Sequence, residues 1–330
     1  MPATRPTLND IYFPIESDLA GFNRSLKETL LSNDGLISQI HEHLLKMTGK
    51  FLRPALVLLT SKAEGNASGK SELVTKLAVA VELIHTATLV HDDIIDDSET
   101  RRNQPSVYFK WGREISIVSG DYLYAKAFLI LAGMRDLWVN EAFAACAHVM
   151  CEGEMKQIEK RNNFFLSDDD YFKIIHKKTA ALFQAACMGG GYFAGASADI
   201  IHKLGEYGFN LGMAFQIVDD CLDIVGDSDS LGKTVGLDIL KNDITLPVLY
   251  LFRNFNEAER ARALEDFKNS DPGLIARIKQ LAVERGAVDK AMAKAREYAD
   301  RCAESLKPLK ASVYKDSLLQ LVDHCVDRVR

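Results

Sequence analysis

The sequence predicts an all-α protein, one large helical bundle around a central cavity, and three observations carry that expectation. Apolar residues recur at helical spacing through almost the whole chain. Only eight prolines interrupt the 330 residues, and no stretch shows the strand–turn–strand alternation of a sheet. With 47% hydrophobic and 26% charged residues, the composition is that of a globular protein with ample core.

Taken in order, the periodicity places helices at roughly 8–32, 35–47, 53–65, 71–98, 113–135, 138–161 and 168–194. It continues at roughly 198–227, 243–254, 257–268, 272–285, 287–306 and 312–328. Ser167 with Asp170 three residues on resembles a capping box, with Asp in place of the usual Glu. Asp271-Pro272 sets a cap residue before a proline at the first helical position. Gly189-Gly190-Gly191, with Gly195 beyond, falls inside a helical stretch and reads as close helix packing. No linker, repeat or low-complexity tract divides the chain, so residues 1–330 are expected to form a single domain.

A formal net charge of −6 argues against a general nucleic-acid binder, which needs a basic footprint. The six cysteines (146, 151, 187, 221, 302 and 325) form no C-x-x-C pair and sit in apolar stretches. They read as reduced, buried thiols in a cytoplasmic protein. No basic-then-apolar leader precedes Tyr12, and no run approaches the 18 apolar residues of a spanning helix. A transmembrane segment is therefore not expected, although transient membrane contact during product release is compatible with the sequence.

Two acidic clusters dominate the chemistry. In Leu89-Val90-His91-Asp92-Asp93-Ile94-Ile95-Asp96-Asp97, Asp92 and Asp96 stand at i and i+4 on one helix face. That spacing is about 6 Å along the axis, where like charges destabilise a bare helix. Apolar neighbours worsen the repulsion, so the carboxylates need a cation. Asp219-Asp220-x-x-Asp223 repeats the pattern after another apolar run. One such cluster reads equally well as a solvated acidic face. Two copies of one spacing in apolar sequence favour a shared metal site. Oxygen-only ligands suit magnesium or manganese, and magnesium is typically bound by one or two carboxylates plus substrate phosphates. Neither cluster has the alternating acids, central Gly and distal Glu of an EF-hand.

Cations are distributed around these clusters: Lys50 and Arg53 at a loop-to-helix entry, His85 on the approach to the first acids, and Arg101-Arg102 directly after them. Lys177-Lys178-Thr179 opens a small-residue helix, and Gly232-Lys233-Thr234-Val235-Gly236 follows the second cluster. Each alone is an ordinary surface charge; together they suffice for two diphosphates, by forked Arg and point-charge Lys contacts.

The ordered set resembles the trans-prenyltransferase (polyprenyl diphosphate synthase) family over nearly the full chain. It runs through Gly49-Lys50-x-x-Arg53-Pro54, His85-Thr86-Ala87-Thr88-Leu89-Val90-His91-Asp92-Asp93-x-x-Asp96 and Arg101-Arg102. It continues through Lys178-Thr179, Phe215-Gln216-x-x-Asp219-Asp220-x-x-Asp223, Gly232-Lys233-x-x-Gly236 and Thr245-Leu246-Pro247. The resemblance implies the isoprenoid-synthase fold, usually as a homodimer, and head-to-tail condensation of isopentenyl diphosphate onto an allylic diphosphate. By position it assigns Lys50, Arg53, His85 and Arg102 to isopentenyl diphosphate. Arg101, Lys178 and Lys233 then hold the allylic diphosphate, with Gln216 beside them. It also implies magnesium, two ions on Asp92 and Asp96 and a third on Asp219, with Asp93, Asp220 and Asp223 supporting. The Thr179 hydroxyl and Gln216 amide are candidate dipoles at the reacting centre.

Ala87 and Thr88 precede Asp92 by five and four residues, about one turn. In the family, bulky aromatics there accompany short products, so these small residues imply a medium- to long-chain product, of the octaprenyl-diphosphate-synthase kind. Tyr124, Phe128 or Leu131 would form the next barrier. Two departures stand out: Asn103 where the family often has Gly, and Asp243 where many members have a Lys that contacts the allylic diphosphate, with Lys241 a substitute. The rival readings are a class I terpene cyclase, which has no need of Lys50, Arg53 and His85, and a non-catalytic subunit of a heteromeric prenyltransferase, which would be expected to lose aspartates.

Overall fold

The computed structural model describes residues 6–47, 49–64, 69–226, 243–268 and 273–327. Lys233, Lys241, the Gly232–Gly236 stretch and the Asp271-Pro272 start lie outside the described residues. The helices are α1 (Leu8–Tyr12), α2 (Glu16–Leu30), α3 (Gly35–Lys46), α4 (Leu52–Ala63), α5 (Ser71–Ile95), α6 (Val107–Gly133) and α7 (Leu137–Lys160). They continue as α8 (Asp168–Ile175), α9 (Ala181–Phe193), α10 (Ala198–Val225), α11 (Leu246–Arg253), α12 (Glu257–Lys268), α13 (Leu274–Glu284), α14 (Ala287–Leu306) and α15 (Val313–Val326). Among the described residues the one sheet is a two-stranded antiparallel ribbon, β1 (Thr100–Arg101) with β2 (Gln104–Pro105).

Where the boundaries depart from the periodicity, local chemistry explains the difference. Pro14 lies in a 3-10 turn, Phe13–Ile15, that separates α1 from α2. The chain enters α6 at Val107, where the Ser106 hydroxyl accepts from the Phe109 N–H, earlier than the expected start at 113. Gly112, at φ 83° and ψ 173°, then kinks it. The expected single helix at 168–194 is interrupted by a π-helical turn, His176–Ala180, which carries Lys178 and Thr179. The Ser167 hydroxyl accepts from the Asp170 N–H as its cap.

The chain packs as two compact units. The first comprises Met1–Ala147, Leu182–Gly208 and Ala303–Leu321. Its centre is α5, buried continuously from Leu77 to Ile84, with Leu56, Leu58 and Leu59 of α4 fully enclosed. The glycine run confirms the packing reading: a Cβ on Gly190 would collide with the Thr60 hydroxyl and lie 2.5 Å from the Val57 carbonyl. The second unit comprises His148–Ala181, Phe209–Cys302 and Val322–Arg330. Its core gathers Phe164, Tyr171, Ile217, Leu249, Phe252 and Ala291.

α5 and α6 are both long and apolar enough to cross a membrane, with mean hydropathy 1.6 and 1.4. Neither contains 18 apolar residues in an unbroken run; Ala, Val, Leu and Ile keep the average high. The most apolar window of α5 is 61% buried inside the protein, that of α6 only 28%.

Candidate active site

The first acidic cluster closes α5. Asp92 lies in the last turn and Asp96 is the C-cap residue, its N–H donating to the Asp92 carbonyl. Both acids therefore sit at the negative end of the helix dipole, which adds to their mutual repulsion. Asp93 points the other way and is 2% exposed. Arg101, at the end of β1, donates Nε (2.9 Å) and Nη2 (2.5 Å) to one Asp93 oxygen. Burial works against the Arg101 charge, but Asp93, then Asp92 and Asp96, hold the guanidinium above its ordinary pKa.

The expected isopentenyl-diphosphate residues are gathered in this same unit. Arg53, in the first turn of α4, donates Nη1 to His85 Nε2 at 3.0 Å and stacks over Phe183, its Cζ 4.7 Å from the ring centroid. Accepting from a guanidinium fixes Nε2 without a proton, so Nδ1 carries it. Burial, then Arg53, Arg102 and Arg101, holds His85 well below its usual pKa, so the ring is neutral. Arg102 donates Nη1 to the Met47 carbonyl at 2.6 Å. A Cβ at Gly49 would fall 2.5 Å from Arg102 Nη2, so a side chain there would displace the Arg102 guanidinium. The Lys50 carbonyl accepts from Tyr12 Oη at 3.1 Å. Glu82, one turn before His85, is 5% exposed and lines a cavity of ≈ 40 Å³ with Phe51, Asp93, Arg101 and Arg102. Burial raises Glu82 to about 7, with Arg53 and Arg102 pulling the other way.

The second unit holds the other acids and the π turn. Asp220 is 4% exposed, and both its oxygens are engaged: Tyr171 Oη donates at 2.6 Å and Gln216 Nε2 at 2.9 Å. Burial raises Asp220 to about 7, against the lowering effect of those two donors. Thr179 donates to Gln216 Oε1 at 2.7 Å. Lys178 pairs with Glu154, and Lys177 with Glu152, each at 2.7 Å. Gly153, between those acids on α7, faces the π turn; a Cβ there would lie 2.6 Å from the Lys178 backbone nitrogen. Asp219 is half-buried, and Asp223 is 2% exposed.

Asp243 is not a surface departure. At 6% exposure it accepts from Arg161 Nε (2.8 Å) and Nη2 (3.3 Å) and from Gln157 Nε2 (2.9 Å). Arg161, the residue after α7, grips Asp243 in the forked geometry that favours Arg.

The chain-length candidates all lie in the first unit. Ala87 is fully buried, and Thr88 donates its hydroxyl to the His85 carbonyl at 2.7 Å. Tyr124 stacks on His91 with ring centroids 6.1 Å apart, Phe128 is half-buried, and Leu131 is fully buried.

Among the described residues, no three His, Cys, Asp or Glu side chains gather closely enough to enclose a metal ion by themselves. Half-buried Asp92, Asp96 and Asp219 instead offer oxygen donors at helix C-termini. That donor set fits an ion completed by water and substrate oxygens, as magnesium prefers. Sequence reasoning missed Tyr171, Glu82, Glu154, Gln157 and Arg161. The visible signals were an acid inside the apolar run Leu77–Ile84 and a glycine between two acids in Glu152-Gly153-Glu154.

The chain matches the polyprenyl synthetase family over residues 34–284. It is 38% identical over 293 residues to a short chain isoprenyl diphosphate synthase of Methanothermobacter thermautotrophicus, covering 87% of this chain and 89% of that one. The octaprenyl diphosphate synthase of Escherichia coli is 32% identical over 318 residues, covering 95% and 96%. A crystal structure of a polyprenyl synthase from Caulobacter crescentus, complexed with calcium and isoprenyl diphosphate, is similar at TM-score 0.94 and 33% identity over 100% of both chains.

Proposed function

The chain belongs to the polyprenyl synthetase family, and on that premise we propose that it condenses isopentenyl diphosphate head-to-tail onto an allylic diphosphate, giving a medium- to long-chain all-trans polyprenyl diphosphate. One observation carries the reading: two Asp-Asp-x-x-Asp clusters, each at the C-terminal end of an apolar helix, each with a cation-bearing segment beside it. Residues 1–330 would then act as one polyprenyl synthase domain.

In this reading Lys50, Arg53, Arg102 and neutral His85 hold isopentenyl diphosphate, with Arg53 oriented by His85 and by the face of Phe183. Arg101, Lys178 and Lys233 hold the allylic diphosphate. Arg101 commits Nε and Nη2 to Asp93, which leaves Nη1 for substrate. Asp92, Asp96 and Asp219 would hold three magnesium ions, with Asp93, Asp220 and Asp223 placing them. Bound magnesium supplies Lewis-acid charge to the departing diphosphate. Thr179 and Gln216 present dipoles to the allylic cation, and the apolar walls exclude the water that would quench it. The departing diphosphate takes the final proton, so no histidine base is needed; His85, held neutral and engaged with Arg53, agrees.

Ala87 and Thr88 leave the pocket floor open, the basis for the longer product. A second copy of the chain would cover α6, whose exposed apolar residues include Phe109, Val118 and Leu129 at 60, 64 and 73% exposure. The enzyme would work in the cytoplasm and touch the membrane transiently to release product.

The test uses the purified chain alone with magnesium, labelled isopentenyl diphosphate and farnesyl or geranylgeranyl diphosphate, products being separated by length. A ladder that ends at one length and vanishes with chelator is expected. No incorporation from any allylic primer, the shortest included, would overturn the reading.

A further inference from the structure

Tyr171, Asp220, Gln216 and Thr179 form an unbroken line of hydrogen bonds in the second unit, at 2.6, 2.9 and 2.7 Å. Three of the four side chains are nearly sealed from solvent: Tyr171 is 3% exposed, Asp220 4% and Thr179 7%. The donor directions are dictated from one end. Tyr171 and Gln216 both donate to Asp220, so Gln216 turns its amide N–H that way. Its carbonyl then faces Thr179, whose hydroxyl must donate. The Thr179 proton is thereby committed to the protein, and only the oxygen lone pairs are left for anything else. A positive centre is stabilised by the negative end of a fixed dipole and opposed by an O–H proton.

We propose that Tyr171 is a positioning residue for the reaction: acting through Asp220 and Gln216, it locks the Thr179 hydroxyl with its electron-rich side toward the allylic cation. The inference rests on the reading above, in which Thr179 faces the reacting centre. Tyr171 touches no substrate. It is the second donor that fixes the Asp220 carboxylate; without it the carboxylate can rotate and the Gln216 amide can turn over, exposing the Thr179 proton. Its ring stays in the core beside Phe172, 5.4 Å away, whatever happens to the hydroxyl.

The experiment is a double-mutant cycle on the full chain, using Tyr171→Phe and Thr179→Val, with kcat, both KM values, magnesium activation and melting temperature measured for each. Tyr171→Phe is expected to lower kcat roughly ten-fold while leaving KM for both diphosphates and the magnesium requirement unchanged. The double variant should be no slower than Thr179→Val, because the tyrosine acts only through that hydroxyl. Full kcat in Tyr171→Phe, or single effects that multiply in the double variant, would overturn the inference and leave the reading standing. Full kcat in Thr179→Val would remove the role of Thr179 itself, and the inference with it.

Discussion

Asp93 and Asp220 occupy the same place in two copies of one motif, yet the chain treats them differently. Each is the second acid of Asp-Asp-x-x-Asp, each turns away from the first, and each is nearly sealed, at 2 and 4% exposure. Asp93 is held by a guanidinium. Asp220 is held by a phenol and an amide. Asp93 thus has a charged partner, whereas burial carries Asp220 to about 7 against the lowering effect of its two neutral donors. One motif therefore yields a charge clamp in the first unit and a line of oriented dipoles in the second. Asp243, gripped by Arg161, follows the first pattern outside either motif.

The comparison breaks most readily at its charged end. Removing one partner of a buried ion pair strands the other, so Arg101→Ala should cost about 3 kcal/mol and several degrees of melting temperature. Tyr171→Phe should cost about 1 kcal/mol, the loss of one buried hydrogen bond. Equal costs, measured by denaturant unfolding, would erase the distinction. Arg161→Ala should fall between them at about 2 kcal/mol, because Gln157 still donates to Asp243. A loss no larger than that of Tyr171→Phe would remove Asp243 from the first class.

Two buried carboxylates predict a pH dependence. Glu82 and Asp220 both have folded pKa values near 7, raised by burial above their ordinary values. Across the window from about 4 to about 7 the folded protein keeps protons that the unfolded chain has lost. Stability therefore falls as pH rises through that window, and the penalty is complete above it. Glu82→Gln removes one such group without touching either cluster. In chelator it should melt a few degrees higher than the parent above pH 7 and converge with it near pH 4; a constant offset at all pH values would contradict the assignment. The smallest effect on rate is expected from Ala87→Phe, which should shorten the product at similar turnover. An unchanged product distribution would end the chain-length argument.

Much of this was legible in sequence. The helix positions follow apolar spacing, and both acidic clusters and the residues Arg53, His85 and Arg101-Arg102 stand out by residue type. The π turn at His176–Ala180 was not legible, because one extra residue in a turn leaves the surrounding apolar pattern intact. Tyr171 looked like core, since an aromatic at a helical apolar position carries no sign of where its hydroxyl points. Its partner lies 49 residues away, and the Arg161–Asp243 pair spans 82. Such contacts are fixed by tertiary packing, which spacing along one helix does not encode. Asp243 looked like a lost contact for the same reason.

Turnover by the proposed magnesium-dependent reaction is expected to need both clusters. Turnover should be measured at saturating magnesium for Asp92→Ala, Asp219→Ala and the double variant, with melting temperatures as controls. Each single variant is predicted to lose at least about a thousand-fold in kcat with its fold intact, and the double variant little more, because residues acting as a unit are not additive. Near-normal turnover in either single variant would contradict the account.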